Sequence, residues 1–352
     1  MPGRPGPFKI PPLDLKAQEE ARRRWDRLTK PAKSLGRLEE LAARIAAMTG
    51  SVTPGAGRKV IFVAAADHGV AAEGVSAYPQ SVTGQMVENF LRGGAAISVL
   101  ARQAGAEVAV INAGVIGRGQ ESDGVLSCGV RAGTGNFCRE PAMSRAEAEQ
   151  VVEAGIRIFR EAHAARPVGL AGLGDMGIGN TTPAAALTAV FTGVPAARVT
   201  GRGTGLDDAQ LLQKVRVIEQ ALALHRPDPD DPIGCLSTVG GLEIGCLAGI
   251  ALAAAEARVP VMLDGFITTS AALLACRLAP EAAGYLIASH RSVEPGHRVQ
   301  LEELELVPLL DLDLRLGEGT GAALAFSLVE SALRLLAEMA TFDEAGVSEE
   351  SK

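Results

Sequence analysis

Five short runs of apolar residues recur along the chain, at 60–66, 108–112, 168–171, 259–263 and 285–288. Each is unbroken rather than alternating, the pattern of strands covered on both faces. Ala-rich segments of helical character separate them. Strand–helix alternation of this kind predicts an α/β fold with a doubly wound, mostly parallel sheet and right-handed crossovers.

The two ends of the chain read differently. Asp14–Thr29 is charged and helical and is stopped by Pro31. A second helix is predicted over Ser34–Met48, with Ser34 as its cap and Leu35, Leu38, Leu41, Ile45 and Met48 at helical spacing. A last helix is predicted over Gly321–Ala340, with Ala325, Leu328, Val329, Ala332, Leu336 and Met339 as its apolar stripe. The opening dozen residues read as an extended arm, SVTPGAG at 51–57 as a linker, and the acidic tail after Thr341 as frayed. Residues 1–57 and 321–352 are therefore expected to form a small helical domain beside a catalytic domain over 58–320.

Composition removes several function classes. With 352 residues and 47% apolar content, the chain can bury a large core. A net charge of -7 and a pI near 5.4 supply no basic stripe for nucleic acid. Twelve aromatic residues (9 Phe, 2 Tyr and 1 Trp) offer few stacking platforms for single strands. The opening MPGRPGPFKIPPLDL lacks the apolar run of a signal peptide. The Ala-rich stretches are interrupted before membrane-span length. Cys128, Cys138, Cys235, Cys246 and Cys276 form no CxxC pair and read as reduced, buried thiols of a cytoplasmic protein.

The strand ends carry the candidate chemistry. They reach Asp67-His68-Gly69, Asn112-Ala113-Gly114, Gly172-Leu173-Gly174-Asp175-Met176-Gly177, Asp264-Gly265 and Ser289-His290. A late segment, Leu312–Leu316, leads into Gly317-Glu318-Gly319-Thr320-Gly321. Ligands of open α/β sheets bind outside the carboxyl ends of the strands, so acids and glycines at several ends suggest one cleft. Plain βα turns are the alternative for any single end.

GLGDMG at 172–177 matches the dinucleotide pattern GxGxxG, yet the acid expected about 20 residues later is replaced by FTGVPAAR. A helix is expected to start with Thr182 as N-cap and Pro183 at its first position. The Gly-rich loop before it, with Asn180 and Thr181, can then hold one phosphate. Gly201-Arg202-Gly203-Thr204-Gly205 echoes the 317–321 loop, and alternate glycines let backbone approach a ligand. Glu318 between two glycines is a candidate general base facing the cleft, or else a solvated turn residue. No HExxH, GxxxxGK[ST] or GxSxG motif occurs. His163 and His225 lie in charged helical stretches and are expected to be solvated, whereas His68 and His290 follow strand ends.

ADHGV (66–70), KPAKSLGRLEELA (30–42), GNTTPAAA (179–186), VGG (239–241), LDGF (263–266) and RLGEGTGAALA (315–325) together resemble the nicotinate-nucleotide–dimethylbenzimidazole phosphoribosyltransferase family, in order and over nearly the whole chain. The resemblance implies a Rossmann-like large domain, a small helical domain and a homodimer. It implies transfer of phosphoribose from nicotinate mononucleotide to 5,6-dimethylbenzimidazole, with no cofactor and no metal. By the same resemblance Glu318 is the general base, with Asp175, Asp264 and Lys214 in support and Lys214 paired to one of the two aspartates. Gly177, Asn180, Thr181, Gly203 and Ser292 would hold phosphate and ribose. Tyr78, Met86, Met176, Ile178 and Leu316 would line the base pocket. Some relatives carry Glu where this chain has Asp175, and polar residues where it has Tyr78 and Met86. Two other readings stay open: an NAD-dependent oxidoreductase, motivated by GLGDMG, and a nucleotide-binding protein without turnover.

Overall fold

The structure, a computed structural model, describes residues 8–117, 124–203 and 205–348. Among these residues six strands form one sheet: β1 (Arg58–Ala66), β2 (Glu107–Gly114), β3 (Val125–Ser127), β4 (Val168–Met176), β5 (Val261–Leu263) and β6 (Leu286–Ala288). Their order is β3-β2-β1-β4-β5-β6 and every pairing is parallel. Central β1 and β4 are buried almost throughout, which is why their sequences are unbroken apolar runs. Because β1 pairs with β2 on one side and β4 on the other, the winding direction reverses between β1 and β4. The ends of those two strands, at Asp67 and Gly177, are therefore where a ligand cleft is expected.

The helices are α1 (Leu15–Arg27), α2 (Arg37–Thr49), α3 (Val82–Leu91), α4 (Ala96–Gln103), α5 (Arg145–Ala165), α6 (Thr181–Thr192), α7 (Ala196–Val199), α8 (Asp208–His225), α9 (Pro232–Val239), α10 (Leu242–Glu256), α11 (Phe266–Leu278), α12 (Pro295–Glu303), α13 (Thr320–Glu338) and α14 (Phe342–Ala345). Helix α10, apolar all round, lies across β1, β2, β4 and β5 and against α5 and α11. Helix α13 packs on β1, β4, β5, α4 and α2, and α2 packs on α1. By length and composition α13 could cross a bilayer, which the interrupted Ala-rich pattern did not predict. Its Ala325, Phe326, Val329 and Leu336 are buried inside the protein.

Several boundaries differ from the sequence reading. Helix α2 begins at Arg37, not Ser34, because Gly36 takes φ +54° and breaks the turn before it. Helix α6 begins at Thr181 with Asn180 in the cap position, earlier than a Thr182 cap allows. The tail forms a short helix, α14, held by a reciprocal Thr341–Glu344 cap. The largest change concerns GLGDMG. Its residues 172–176 continue β4 instead of opening a loop. The glycines serve close packing: a Cβ on Gly174 would stand 2.4 Å from the Glu318 carbonyl oxygen, and one on Gly172 would stand 3.1 Å from Phe326 and from Ile61. The pattern that resembled a dinucleotide loop is strand backbone against which α13 and its leading loop are laid.

Candidate active site

Glu318 stands at the entry to α13 in three consecutive left-handed residues, with φ +85° at Gly317, +64° at Glu318 and +91° at Gly319. Glycine adopts this region freely, but for Glu318 it costs on the order of 1–3 kcal/mol and must be imposed by neighbours. Those neighbours are visible. The Glu318 N–H donates to the Asp175 carbonyl at 3.2 Å, the Thr320 hydroxyl donates to the Gly317 carbonyl at 2.9 Å, and both Asp264 carboxylate oxygens accept from the loop. Oδ2 takes the Gly319 N–H at 2.9 Å and Oδ1 the Gly321 N–H at 2.6 Å. The loop in turn delivers the Glu318 carboxylate to the start of α4, where Oε2 accepts the Ile97 N–H at 3.2 Å. Burial pushes the Glu318 carboxyl above its ordinary value, the Ile97 amide opposes this, and the Asp264 charge adds to the rise. A buried carboxylate of raised basicity is the property a general base needs.

Asp175 is also buried, near the end of β4 beside Ala64 of β1. Its Oδ2 accepts from Asn180 Nδ2 at 2.9 Å, and its carboxylate lies 3.2 Å from where a Gly317 Cβ would be. Burial drives its pKa well above the usual carboxylate value; the Asp264, Glu243 and Glu318 charges push the same way against the Asn180 bond. Asp175, Asp264 and Glu318 thus come together as predicted, in a site crowded with acid.

Lys214, on α8, does not join them. Its ammonium, fully buried, donates to Thr181 Oγ1 at 2.6 Å and to the Gly201 carbonyl at 3.2 Å. The expected pairing with Asp175 or Asp264 is replaced by these neutral acceptors and the nearby Glu294 charge. Burial lowers its pKa to about 8, opposed by Glu294. Gly203 is close by: a Cβ there would meet Thr181 Oγ1 at 3.1 Å and Lys214 Nζ at 3.6 Å. Thr181, Lys214, Gly201 and Gly203 therefore make one polar corner. A cavity of about 380 Å³ opens beside it, lined by Gly201, Arg202, Gly203, Gly205, Glu294 and Arg315. The Gly203 N–H is already taken by Glu294 Oε1 at 2.9 Å, so it is not a free phosphate donor. Ser292 Oγ accepts the Glu294 N–H at 3.3 Å, and the Ser292 N–H donates to His297 Nδ1 at 2.9 Å.

The residues expected around a flat base are less enclosed. Ile178 is buried, its N–H donating to Thr83 Oγ1 at 3.1 Å; Met86 and Met176 are half-buried against the core. Tyr78 is 53% and Leu316 58% exposed, so these two form an open rim rather than a closed wall.

Four further residues stand here: His68, a cleft candidate from its place at a strand end, and Glu243, Glu294 and His297, to which the sequence reading gave no role. His68, fully buried, lies with Nε2 3.0 Å from Glu243 Oε1, and a Cβ on Gly177 would stand 3.0 Å from the same nitrogen. Glu243 and Glu294 lay in segments read only for helix or motif. His297 is neutral: Nδ1 accepts from Ser292, Nε2 faces Thr269 Oγ1 at 3.1 Å, and burial with the neighbouring His290 lowers its pKa to about 3. Nor are the other two histidines merely solvated. His163 Nδ1 accepts the Val168 N–H at 3.2 Å, and His225 Nε2 meets the Phe137 carbonyl at 2.7 Å.

Comparison with known proteins gives one consistent result. A family model described as Phosphoribosyltransferase matches residues 10–347. The chain is 54% identical over 341 residues to nicotinate-nucleotide–dimethylbenzimidazole phosphoribosyltransferase of Geobacter sulfurreducens, with 97% of each chain covered. To the protein of the same name from Chloroflexus aggregans it is 57% identical over 343 residues, again 97% of each. The crystal structure of the phosphoribosyltransferase of that name from Thermus thermophilus superposes with a TM-score of 0.90 at 51% identity, covering 96% of this chain and 100% of that one.

Proposed function

The chain belongs to the nicotinate-nucleotide–dimethylbenzimidazole phosphoribosyltransferase family, and from that premise we propose how its residues divide the work. It is an enzyme that transfers phosphoribose from nicotinate mononucleotide to 5,6-dimethylbenzimidazole, giving α-ribazole 5′-phosphate and nicotinate, in nucleotide loop assembly of cobalamin biosynthesis. An oxidoreductase reading loses its motif, since residues 172–176 of GLGDMG are strand.

One benzimidazole nitrogen attacks the anomeric carbon. The C–N bond to nicotinate breaks, and its electron pair neutralises the pyridinium ring. The other benzimidazole nitrogen then carries a surplus proton, which Glu318 accepts. A positioned base of this kind is typically worth roughly 10²–10⁴-fold. The observation that carries this assignment is the Glu318 carboxylate, buried and raised in pKa, on a loop tethered through its own N–H to Asp175 and through the Gly319 N–H to Asp264. Asp175 supplies negative charge for the cationic sugar of the transition state. Asp264, both oxygens already engaged by backbone, supports the base loop instead of touching the sugar. Lys214, the Thr181 and Ser292 hydroxyls and the Asn180–Gly177 turn receive the phosphate and ribose, with Gly203 giving the room. Met86, Met176 and Ile178 take one face of the benzimidazole, and Tyr78 and Leu316 its edge.

Free thiols, four buried and Cys276 half-buried, fit a cytoplasmic setting, and the family resemblance supports a homodimer. Sizing chromatography tests the latter against the 36.3 kDa chain mass. The activity is tested by incubating pure protein with both substrates and following nicotinate by chromatography; no nicotinate release refutes the reading.

A further inference from the structure

We infer that His290 is a positioning residue for the base, fixing the Glu318 loop through Asp264. The inference rests on the role just proposed for Glu318.

Strands β5 and β6 are paired through Leu263 and Ala288, so the residues that follow them, Asp264 and Ser289-His290, leave the sheet side by side. His290 is buried, and its Nε2 lies 3.5 Å from Asp264 Oδ1. That oxygen also accepts the Gly321 N–H, while Oδ2 accepts the Gly319 N–H. A carboxylate held on both oxygens still pivots about its side-chain bonds. A cationic N–H approaching Oδ1 from another strand removes that freedom, and charge-assisted contacts are the strong ones. Burial disfavours the charged imidazole, yet Asp264 and the Arg291 backbone outweigh it and raise the His290 pKa above its usual value.

The ring acts sterically too. A Cβ on Gly321 would stand 2.1 Å from His290 Cδ2, so the imidazole lies flush against the first turn of α13 and only glycine fits there. The Ser289 hydroxyl donates to the Asp264 carbonyl at 3.2 Å, tying the same two strand ends again. Neutral His297 lies behind, with ring centroids 6.1 Å apart. His290 thus touches Asp264 and α13, and through them sets where Glu318 stands.

The test compares wild type, His290→Phe, His290→Gln and His290→Asn by nicotinate release, nicotinate mononucleotide affinity and thermal melting. The Gln amide reaches the Nε2 position; the Asn amide does not. Misplacing a base by about an ångström costs on the order of 10²-fold, so Phe and Asn should lower kcat roughly ten- to a hundredfold while nucleotide affinity stays within about threefold. Gln should recover most of the rate. Wild-type kcat in the Phe variant overturns the inference, as do equal rates for Gln and Asn, or a parallel fall in rate and affinity in every variant. Wild type and Glu318→Gln run alongside separate the two claims. If wild type turns over and Glu318→Gln does not, the base assignment stands and the His290 variants judge this inference alone.

Discussion

The carboxylate of Asp264 accepts the backbone N–H of Gly319 at 2.9 Å, so the residue after Glu318 is tied to the end of a strand far earlier in the chain. The proposed base, Glu318, is therefore placed by the sheet and not by its own loop. On the other side the loop rests on β4, where only a glycine fits beneath it.

Gly174→Ala should consequently displace the Glu318 carboxylate by pushing on its backbone. The added methyl would stand 2.4 Å from the Glu318 carbonyl, and the loop must rise. Nicotinate release should fall roughly tenfold or more with nucleotide affinity little changed. A variant with wild-type turnover would show that the loop tolerates the shift.

Glu318→Gln removes the proton acceptor and keeps the shape. Turnover should drop by about 10²–10⁴-fold while the variant still binds nicotinate mononucleotide, measured by calorimetry. Unchanged turnover would remove Glu318 from the base role.

Asp175→Asn should stabilise the fold and impair the enzyme. The raised pKa of Asp175 means that ionising it in the folded state is costly. The stability it allows is present at low pH and is lost as pH rises through the folded-state pKa. The Asn variant should therefore melt higher than wild type, by about 2 °C or more at neutral pH, and the gap should close only below ~pH 3, under the ordinary Asp value of about 3.9, where Asp is protonated in both states. A lower melting temperature at neutral pH would contradict this.

Phosphate binding should weaken as pH rises through the Lys214 value of about 8, because the ammonium of the free enzyme is lost there. The affinity of nicotinate mononucleotide, titrated on either side of that value, should decline in wild type. It should be flatter in Lys214→Met, whose affinity is lower throughout, by roughly tenfold or more for a lost charge-assisted contact. A wild-type affinity independent of pH would argue against Lys214 as a phosphate ligand.

Most of the fold was legible because buried parallel strands write themselves as continuous apolar runs. Val125–Ser127 escaped: it is a short strand at the sheet edge, with Leu126 exposed and Ser127 polar, and carries no such run. GLGDMG misled for a physical reason. Glycine signals close approach of something, and sequence alone does not say whether that is a phosphate or, as at Gly174, the backbone of another segment. Glu318 drew attention because a carboxylate between glycines has few local partners, and the structure buries it. Lys214 was placed in the site, but its partners Thr181 and Gly201 were not foreseen, since neutral acceptors leave no charge pattern to read. The His68–Glu243 and Gly203–Glu294 contacts join distant segments whose local sequence gives no hint of the other.

The run of left-handed residues at 317–319 also bears on how this catalyst can be altered. With strand backbone below it and carboxylate tethers on it, the base loop has one workable solution. The exposed edge at Tyr78 and Leu316 has many. On the proposed roles, libraries aimed at new acceptor heterocycles should therefore freeze the loop and randomise the rim, where variety changes what is admitted without disturbing the proposed proton acceptor.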